Sequence, residues 1–283
     1  MKREHAMKLV DQGIATLNAA LQAGHSEALE RFLATLARFH HYSFGNALLI
    51  AFQKSEATHV AGFHTWKKLG RFVKKGEQGI AILAPMVWRK DRELSAPEHA
   101  DNELRSVCGF KVAYVFDVTQ TDGEPLPEFA HLVGEPGEWL THLEDSIRAA
   151  GITLSEDFLP GGADGGSRPG QIFIRPDLPR NERFAVLAHE FAHELLHQRP
   201  QRRTETTPKI RETEAEAVAY TVCLACGIDS TIRSADYIQL YRGSEETLKE
   251  SLSHVQQAAT EIITGLQTRR EVRPQYACAA MTL

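Results

Sequence analysis

The sequence predicts an α+β protein of two domains, and three features of the chain lead to that expectation. At 283 residues, of which 42% are hydrophobic and 24% charged, the chain is long enough to bury two cores. Both halves combine runs of helical periodicity with short apolar runs typical of strands. Residues 121–137 are rich in proline, glycine and acidic residues, as linkers are. We therefore expect an N-terminal domain at residues 1–128 and a C-terminal domain at residues 129–283.

The N-terminal half is expected to pair helices with a small sheet. Apolar residues recur at helical spacing at first, and β-branched and aromatic residues cluster later. The predicted elements are helices at 4–23, 26–40 and 44–54 and strands at 79–85 and 109–120. A polar stretch without an apolar period, residues 91–106, predicts a loop between the two strands.

The C-terminal half is expected to be mostly helical around a short sheet. The predicted elements are strands at 152–154 and 171–174 and helices at 138–150, from an N-cap at Asn181 to Pro200, at 211–228, at 234–241 and at 244–267. The glycine cluster at 161–170 lacks the Lys-Ser/Thr pair of a phosphate-binding loop, so we expect it to be a plain turn.

Charge and cysteine content narrow the class of protein. The formal net charge is −5, so a nucleic-acid site would have to be a local basic patch. Residues 1–20 have the pattern of an amphipathic helix and not of a signal peptide or membrane span, so we expect a cytoplasmic protein without a membrane partner. The cysteines are few and scattered, and Cys223 and Cys226 are expected to be buried thiols.

The most informative motif is His189-Glu190-x-x-His193, within a helical run. Residues four apart lie on one face of a helix, so both imidazoles can reach one divalent metal. Glu190 is placed to hold a water and take its proton, as a general base does. The residue types suit Zn²⁺, and also Mn²⁺ or Co²⁺. The strand at 172–174, just before this helix, is expected to be the sheet edge along the cleft.

A third ligand is expected from the next helix. Glu212 and Glu216 are four apart and share a face, so one can bind the metal while the other supports a ligating imidazole. Spacing favours Glu212 as ligand and Glu216 as support, without deciding between them, and Glu214 is expected to point elsewhere. His197, four residues beyond His193, is expected either to support a ligand or to lie at the surface.

A basic segment in the N-terminal half interleaves cations with aromatic residues. Residues 61–90 contain seven basic side chains against one acidic, in an acidic chain. Cations that track phosphates and aromatic faces that stack on bases are what single-stranded nucleic acid requires. Phe63, Phe72, Trp66 and Tyr42 could supply the faces. The alternative is a solvated basic face with the aromatics in the core, and residue types alone do not decide.

Long motifs in both halves resemble one known family. The runs Tyr42–Ile50, Ala57–Arg71, Lys74–Ile80 and Gly109–Gln120 are similar to the N-terminal single-stranded-DNA-binding domain of ArdC-type antirestriction proteins, with Phe44 where the pattern usually has Trp. The metal motif resembles gluzincin-like metallopeptidase domains of the ImmA/IrrE type. In that comparison the third ligand falls on Glu212 and the support on Glu216, where the pattern usually has Asn or Asp. The DNA-contacting residues expected from the basic segment and the resemblance are Tyr42, Asn46, Trp66, Lys67, Lys68, Arg71, Lys74 and Lys75.

The resemblance implies a biological role that residue chemistry cannot supply. An ArdC-type protein is expected to bind single-stranded DNA and to protect DNA that enters a cell by plasmid conjugation from host restriction. One alternative is a zinc metallopeptidase, docked to DNA, that cleaves a regulatory protein. Another is a pure binding protein whose metal site is structural or silent. The partners implied are single-stranded DNA and, for the alternatives, a protein substrate or a restriction enzyme.

Overall fold

A computed structural model of the chain describes residues 3–25, 27–88, 106–124, 135–198, 200–228 and 245–277. Its helices are α1 (Arg3–Gln22), α2 (Glu27–Arg38), α3 (Phe44–Gln53), α4 (Phe63–Lys68), α5 (Trp139–Ala149), α6 (Arg180–His197), α7 (Pro200–Glu205), α8 (Pro208–Ala225) and α9 (Glu245–Ala277). Its strands are β1 (Val60–Gly62), β2 (Arg71–Val73), β3 (Ile80–Trp88), β4 (Ser106–Asp117), β5 (Thr121–Gly123), β6 (Thr153–Glu156), β7 (Gly165–Arg168) and β8 (Gln171–Ile174). In these described ranges, no helix is long and apolar enough to cross a membrane.

The two-domain α+β class is confirmed, since the chain forms two compact units that each contain helices and sheet. The first comprises Met1–Gly13 and Gly45–Leu126, and the second comprises Ile14–Phe44 and Pro127–Leu283. Residues 14–44 therefore group by their contacts with the C-terminal half. The predicted boundary at 128/129, the predicted helix at 234–241 and nearly all of the predicted loop at 91–106 lie outside the described residues.

The first unit is built on an antiparallel sheet in the order β1-β4-β3, beside a two-stranded ribbon of β2 and β5. Two amides of α3, seven residues apart and thus on one helix face, cover the free edge of β3. Asn46 exchanges two hydrogen bonds with the backbone of Leu83, at 2.9 and 2.8 Å. Gln53 does the same with Ala81, at 2.9 Å for both bonds. These side chains hold α3 against the sheet.

A buried carboxylate closes the end of β4. Asp117 is fully buried and accepts hydrogen bonds from the backbone nitrogens of Thr58 at 2.7 Å, His59 at 3.1 Å and Thr119 at 3.0 Å. Burial opposes its charge, but these bonds and one from the Thr119 hydroxyl outweigh it and lower the pKa of Asp117. Asp117 thus ties the loop before β1 to the turn after β4.

The sheet of the second unit has the order β6-β8-β7, with β8 parallel to β6 and antiparallel to β7. The expectation that residues 172–174 form an edge is therefore wrong, because β8 is paired on both sides. The prediction of a plain turn over residues 161–170 is also wrong, since β7 lies inside that cluster. Glycines give no alternating apolar pattern, so the sequence did not predict β7. Its pairing with β8 depends on the hairpin turn at Gly170, which has φ 76°.

Helices α6, α8 and α9 form the body of the second unit. The apolar stripe predicted for the motif helix is buried at Phe184, Leu187, Ala188 and Phe191. Helix α6 packs on α8, while α2 and α9 also pack on α8. The predicted N-cap is wrong by two residues: the helix begins at Arg180, after Pro179. Two neighbouring helices, one carrying the histidines and one the carboxylates, are thereby held side by side.

Candidate metal centre and candidate nucleic-acid surface

Two imidazoles from α6 and one carboxylate from α8 converge. The Nε2 atoms of His189 and His193 are 3.1 Å apart. Each also lies 3.5 Å from an oxygen of Glu212. One ligand atom from each of the three residues falls within 4.8 Å of the others, and in the described part of the chain this is the one such group. Two nitrogens and a carboxylate are a donor set that fits a divalent transition metal with an open position.

Glu216 lies behind His189. Its Oε2 is 3.2 Å from Nδ1 of His189, on the side of the ring away from His193. A carboxylate there accepts a hydrogen bond from Nδ1–H, so that in the neutral ring the Nε2 lone pair faces the cluster. The distances thus favour Glu212 over Glu216 at the centre, which the sequence left open.

His197 lies behind His193 in the same way. Its Nδ1 is 3.0 Å from Nδ1 of His193, and its Nε2 is 2.9 Å from Oε2 of Glu214. His197 is 3% exposed, so it does not lie at the surface, which was the other position that the sequence allowed. Burial lowers the pKa of His197 more than its hydrogen bond to Glu214 raises it.

Glu214 is the residue that sequence reasoning missed. It points away from the cluster as expected, but into a buried polar network. It is 1% exposed, and its Oε1 accepts hydrogen bonds from Arg202 of α7 and Ser251 of α9, both at 2.5 Å. A signal existed, because Glu214 shares one helix face with the apolar Ala217 and Val218, where a carboxylate must be paired.

Glu190 lies beside the two histidines and against strand β7. Adding a β-carbon at Gly165 would put it 3.2 Å from Oε1 of Glu190, so glycine permits the close approach of strand and helix. Glu190 is 7% exposed and is hydrogen-bonded by Ser167. Burial raises the pKa of Glu190, and the nearby His189 and His193 oppose that rise. A carboxyl with a raised pKa suits proton transfer near neutral pH.

The charges of the cluster favour a cation at its centre. Burial disfavours the charged form of His189, but hydrogen bonds to Glu212 and Glu216 outweigh it and raise the pKa of His189 to about 9. Hydrogen bonding with the two imidazoles beside it holds the pKa of Glu212 well below its usual range. The carboxylates thus surround the imidazoles with negative potential, which is what a divalent cation requires.

The residues predicted to contact DNA divide into buried and exposed sets. Trp66 is 2% exposed and its Nε1 donates to the Phe116 carbonyl at 2.8 Å, so it offers no face to a base. The amide of Asn46 is occupied by β3. Tyr42 is half-buried and belongs to the second unit. The structure places Trp66 and Asn46 in the core of the first unit, where they hold its elements together.

The predicted cations divide by whether they bind another described residue. Arg71 donates to the hydroxyl and carbonyl of Thr121 at 2.8 and 3.1 Å and to the carbonyls of Gly123 and Glu124, so its guanidinium fastens β2 to β5. Lys74 donates to Thr119 at 3.0 Å and lies 3.5 Å from Asp122. The exposed cations of this segment that bind no other described residue are Lys67, Lys68 and Lys75.

Exposed aromatic rings accompany these lysines. Phe63 begins α4 four residues before Lys67, and Phe72 projects from β2; both are at least half exposed. We call Phe63, Lys67, Lys68, Phe72 and Lys75 the α4–β2 set. On β4, Phe110 and Tyr114 are also exposed and share one face of the strand, and the sequence had not singled them out.

Comparison with known proteins follows the division into two halves. A family profile described as the N-terminal domain of the anti-restriction factor ArdC matches residues 4–116. A second, described as an IrrE N-terminal-like domain, matches residues 149–226 and so includes the cluster of His189, His193 and Glu212. These matches define the class of protein: an ArdC-like N-terminal domain followed by an IrrE-like domain. The chain thus contains an ArdC N-terminal domain and an IrrE-like domain, and it resembles the ArdC-type antirestriction proteins.

Solved structures share this fold. Two crystal structures of the antirestriction protein ArdC from plasmid R388 are similar, each with a TM-score of 0.54. The metal-free form is 17% identical over 92% of this chain and 98% of that chain, and the Mn(II)-bound form is 18% identical over 91% and 98%. An uncharacterized protein of Bacillus anthracis is 26% identical over 276 residues, which cover 83% of this chain. The chain spans about half, 47%, of that relative's length.

Proposed function

We propose that the second unit binds one divalent metal ion through His189, His193 and Glu212. The convergence of the three donor groups, each within 4.8 Å of the others, supports it. The ArdC of plasmid R388 has been crystallised with Mn(II), so Mn²⁺ is a candidate beside Zn²⁺ and Co²⁺. A bound divalent ion lowers the pKa of a water that it coordinates. Glu190 would accept a proton from a water at this centre.

We propose further that the first unit binds single-stranded DNA through the α4–β2 set. The single observation that carries this proposal is that three lysines without an acceptor among the described residues stand beside two exposed phenylalanine rings. Cations and aromatic faces together suit a flexible strand whose bases are unstacked. The ArdC N-terminal domain at residues 4–116 contains the whole set.

The role that joins the two halves is protection of DNA that enters a cell as a single strand, as in plasmid conjugation, from restriction. It would be exercised in the cytoplasm, where such DNA arrives. The antirestriction family supports this role, and single-strand binding gives it a physical basis. Restriction enzymes act on duplex DNA, so a protein that covers the strand before its complement is made would deny them their substrate.

A DNA-docked metallopeptidase is the second candidate, and one observation favours it. Glu190 stands beside the metal-binding cluster and against β7, which pairs only with β8 among the described strands and so has a free edge. An extended peptide could add to that edge within reach of Glu190. Glu190→Ala separates the candidates. A peptidase function requires that the variant lose antirestriction or substrate cleavage while keeping DNA and metal binding, and an unchanged phenotype leaves binding as the function.

Fluorescence anisotropy tests the DNA proposal. A labelled single strand and a duplex of equal length are titrated with the full chain across a salt series. We expect tighter binding of the single strand. If Lys67, Lys68 and Lys75 each contact one phosphate, log K should fall with log salt at a slope of about −2, since each contact contributes about −0.7. Equal or tighter binding of the duplex would refute the proposal.

A further inference from the structure

Behind the metal-binding cluster, a chain of hydrogen bonds runs from His193 into the core of the second unit. Nδ1 of His193 meets Nδ1 of His197 at 3.0 Å, and Nε2 of His197 meets Oε2 of Glu214 at 2.9 Å. The far oxygen of Glu214 accepts from Arg202 and Ser251. Glu214 and His197 are 1% and 3% exposed, so water does not substitute for these bonds.

The direction of every bond in this chain is determined at its buried end. A guanidinium can only donate hydrogen bonds, and an ionised carboxylate can only accept them. Arg202 pairs with Glu214 and also with Glu250, at 2.8 Å, so it is held in place from both sides. Glu214 must therefore accept from His197 at Nε2. A neutral imidazole that donates at one nitrogen accepts at the other, so His197 accepts at Nδ1.

We propose that Glu214, acting through His197, fixes the tautomer of His193, placing its proton on Nδ1 and its lone pair on Nε2. Glu214 and His197 are positioning residues, since neither belongs to the converging group of His189, His193 and Glu212. The inference rests on the proposed metal site for its purpose, because an imidazole must present a lone pair to a metal. It does not depend on a metal for its geometry. Glu216 accepts directly from Nδ1 of His189, so the tautomers of the two histidines are fixed by different residues.

Glu214→Gln distinguishes this relay from a merely structural contact. Arg202 and Ser251 hold one end of the residue 214 side chain, and because Arg202 only donates, the amide oxygen must face it. The amide NH₂ then faces His197, which must accept at Nε2 and donate at Nδ1. His193 is forced to accept at Nδ1 and to carry its proton on Nε2. The substitution changes no shape, yet it reverses each bond as far as the cluster.

The experiment is ¹⁵N NMR of the histidine rings in the full-length, metal-free protein, at a pH where His193 is neutral, with a Zn²⁺ titration against a competing chelator. The His193 signals are assigned by their loss in His193→Gln. In the wild type we expect the Nδ1-H tautomer of His193, and in Glu214→Gln the Nε2-H tautomer with Zn²⁺ bound about 10- to 100-fold more weakly. The matched control is Glu261→Gln on the exposed face of α9, which should keep the wild-type tautomer and affinity.

A second pair of variants decides the matter if Glu214→Gln does not fold. A glutamine at position 197 can donate to Glu214 and accept from His193, so His197→Gln should keep the Nδ1-H tautomer, whereas His197→Leu should lose the preference. An Nε2-H tautomer in the wild type, or an unchanged tautomer in both Glu214→Gln and His197→Leu, overturns the inference. If the tautomers respond as expected but the wild type binds no Zn²⁺ or Mn²⁺, the relay stands and the proposed metal site fails.

Discussion

Gly165 of β7 lies so close to Glu190 of α6 that a β-carbon at Gly165 would come 3.1 Å from Cγ of Glu190 and 2.5 Å from Cγ1 of Val186. Contacts as short as the second do not occur between real side chains and strands. Because Val186 and Glu190 are four residues apart on one face of α6, the strand lies along that face. The absence of a side chain at Gly165 is what sets the position of the catalytic candidate.

Gly165→Ala should therefore destabilise the second unit, by about 1–3 kcal/mol, because the added methyl group forces strand and helix apart. The measurement is urea unfolding of the full chain. Gly166→Ala is the matched control, since a β-carbon there would meet Leu159 at 3.4 Å, an ordinary contact. Equal loss of stability in both variants would show that the change reflects strand propensity and not the approach to Glu190.

Phe72→Ala should weaken binding of a single-stranded oligonucleotide by about 1–3 kcal/mol, the usual contribution of one stacked base, without affecting the stability of the fold. Trp66→Ala should instead destabilise the fold. It removes a buried ring and its hydrogen bond, at a cost of about 3–5 kcal/mol in unfolding free energy. Anisotropy and urea unfolding on both variants measure the contrast. DNA binding that survives Phe72→Ala unchanged would remove this ring from the proposed surface.

Replacing Lys67, Lys68 and Lys75 together by glutamine should reduce the salt dependence of DNA binding by about 2 in the slope of log K against log salt. Arg71→Gln is the informative comparison, because its guanidinium is occupied by β5. That variant should lose stability and keep the slope. The reverse pattern, a slope that depends on Arg71 and not on the lysines, would contradict the assignment of the free cations.

Acid should loosen the first unit through Asp117. The folded pKa of this carboxyl is lowered, so its contribution to stability is fully present above the unfolded pKa, about 3.9, and is lost as the pH falls through the folded pKa. Asp117→Asn should remove that acid dependence and reduce stability at neutral pH by about 2 kcal/mol. Amide hydrogen exchange of β4 between pH 3 and 7, corrected for the pH dependence of the intrinsic exchange rate, measures the acid dependence and the stability at neutral pH. Asp122→Asn, at an exposed pair, should change neither.

Elements with a strong apolar period were predictable from the sequence. The four-residue spacings of His189 and His193 and of Glu212 and Glu216 led to the two facing helices, since a helix fixes which side chains share a face. The glycine-rich strand β7 was not predictable, because its pairing depends on the hairpin and on the close approach of α6 rather than on its side chains.

Burial was harder to predict than secondary structure. Trp66 and Phe72 lie in the same short basic segment, yet one is a core residue and the other is exposed. An aromatic residue can serve as a core residue or as an exposed ring, and residue type does not distinguish the two. Which of them it becomes depends on which strand packs against α4. Glu214 shows the same limit, since its partners Arg202 and Ser251 come from α7 and α9, and no local pattern encodes how these helices pack within the second unit.

Crystals of the full chain grown with Mn²⁺ would show whether His189, His193 and Glu212 form a site for one divalent ion. Diffraction data collected above and below the manganese absorption edge give a map of the ion itself. From this assignment we expect one strong anomalous peak bounded by the Nε2 atoms of both histidines and the Glu212 carboxylate, and we expect His193→Gln to lose it. A peak at Glu216 without Glu212, or no peak on these residues at saturating Mn²⁺, would contradict it.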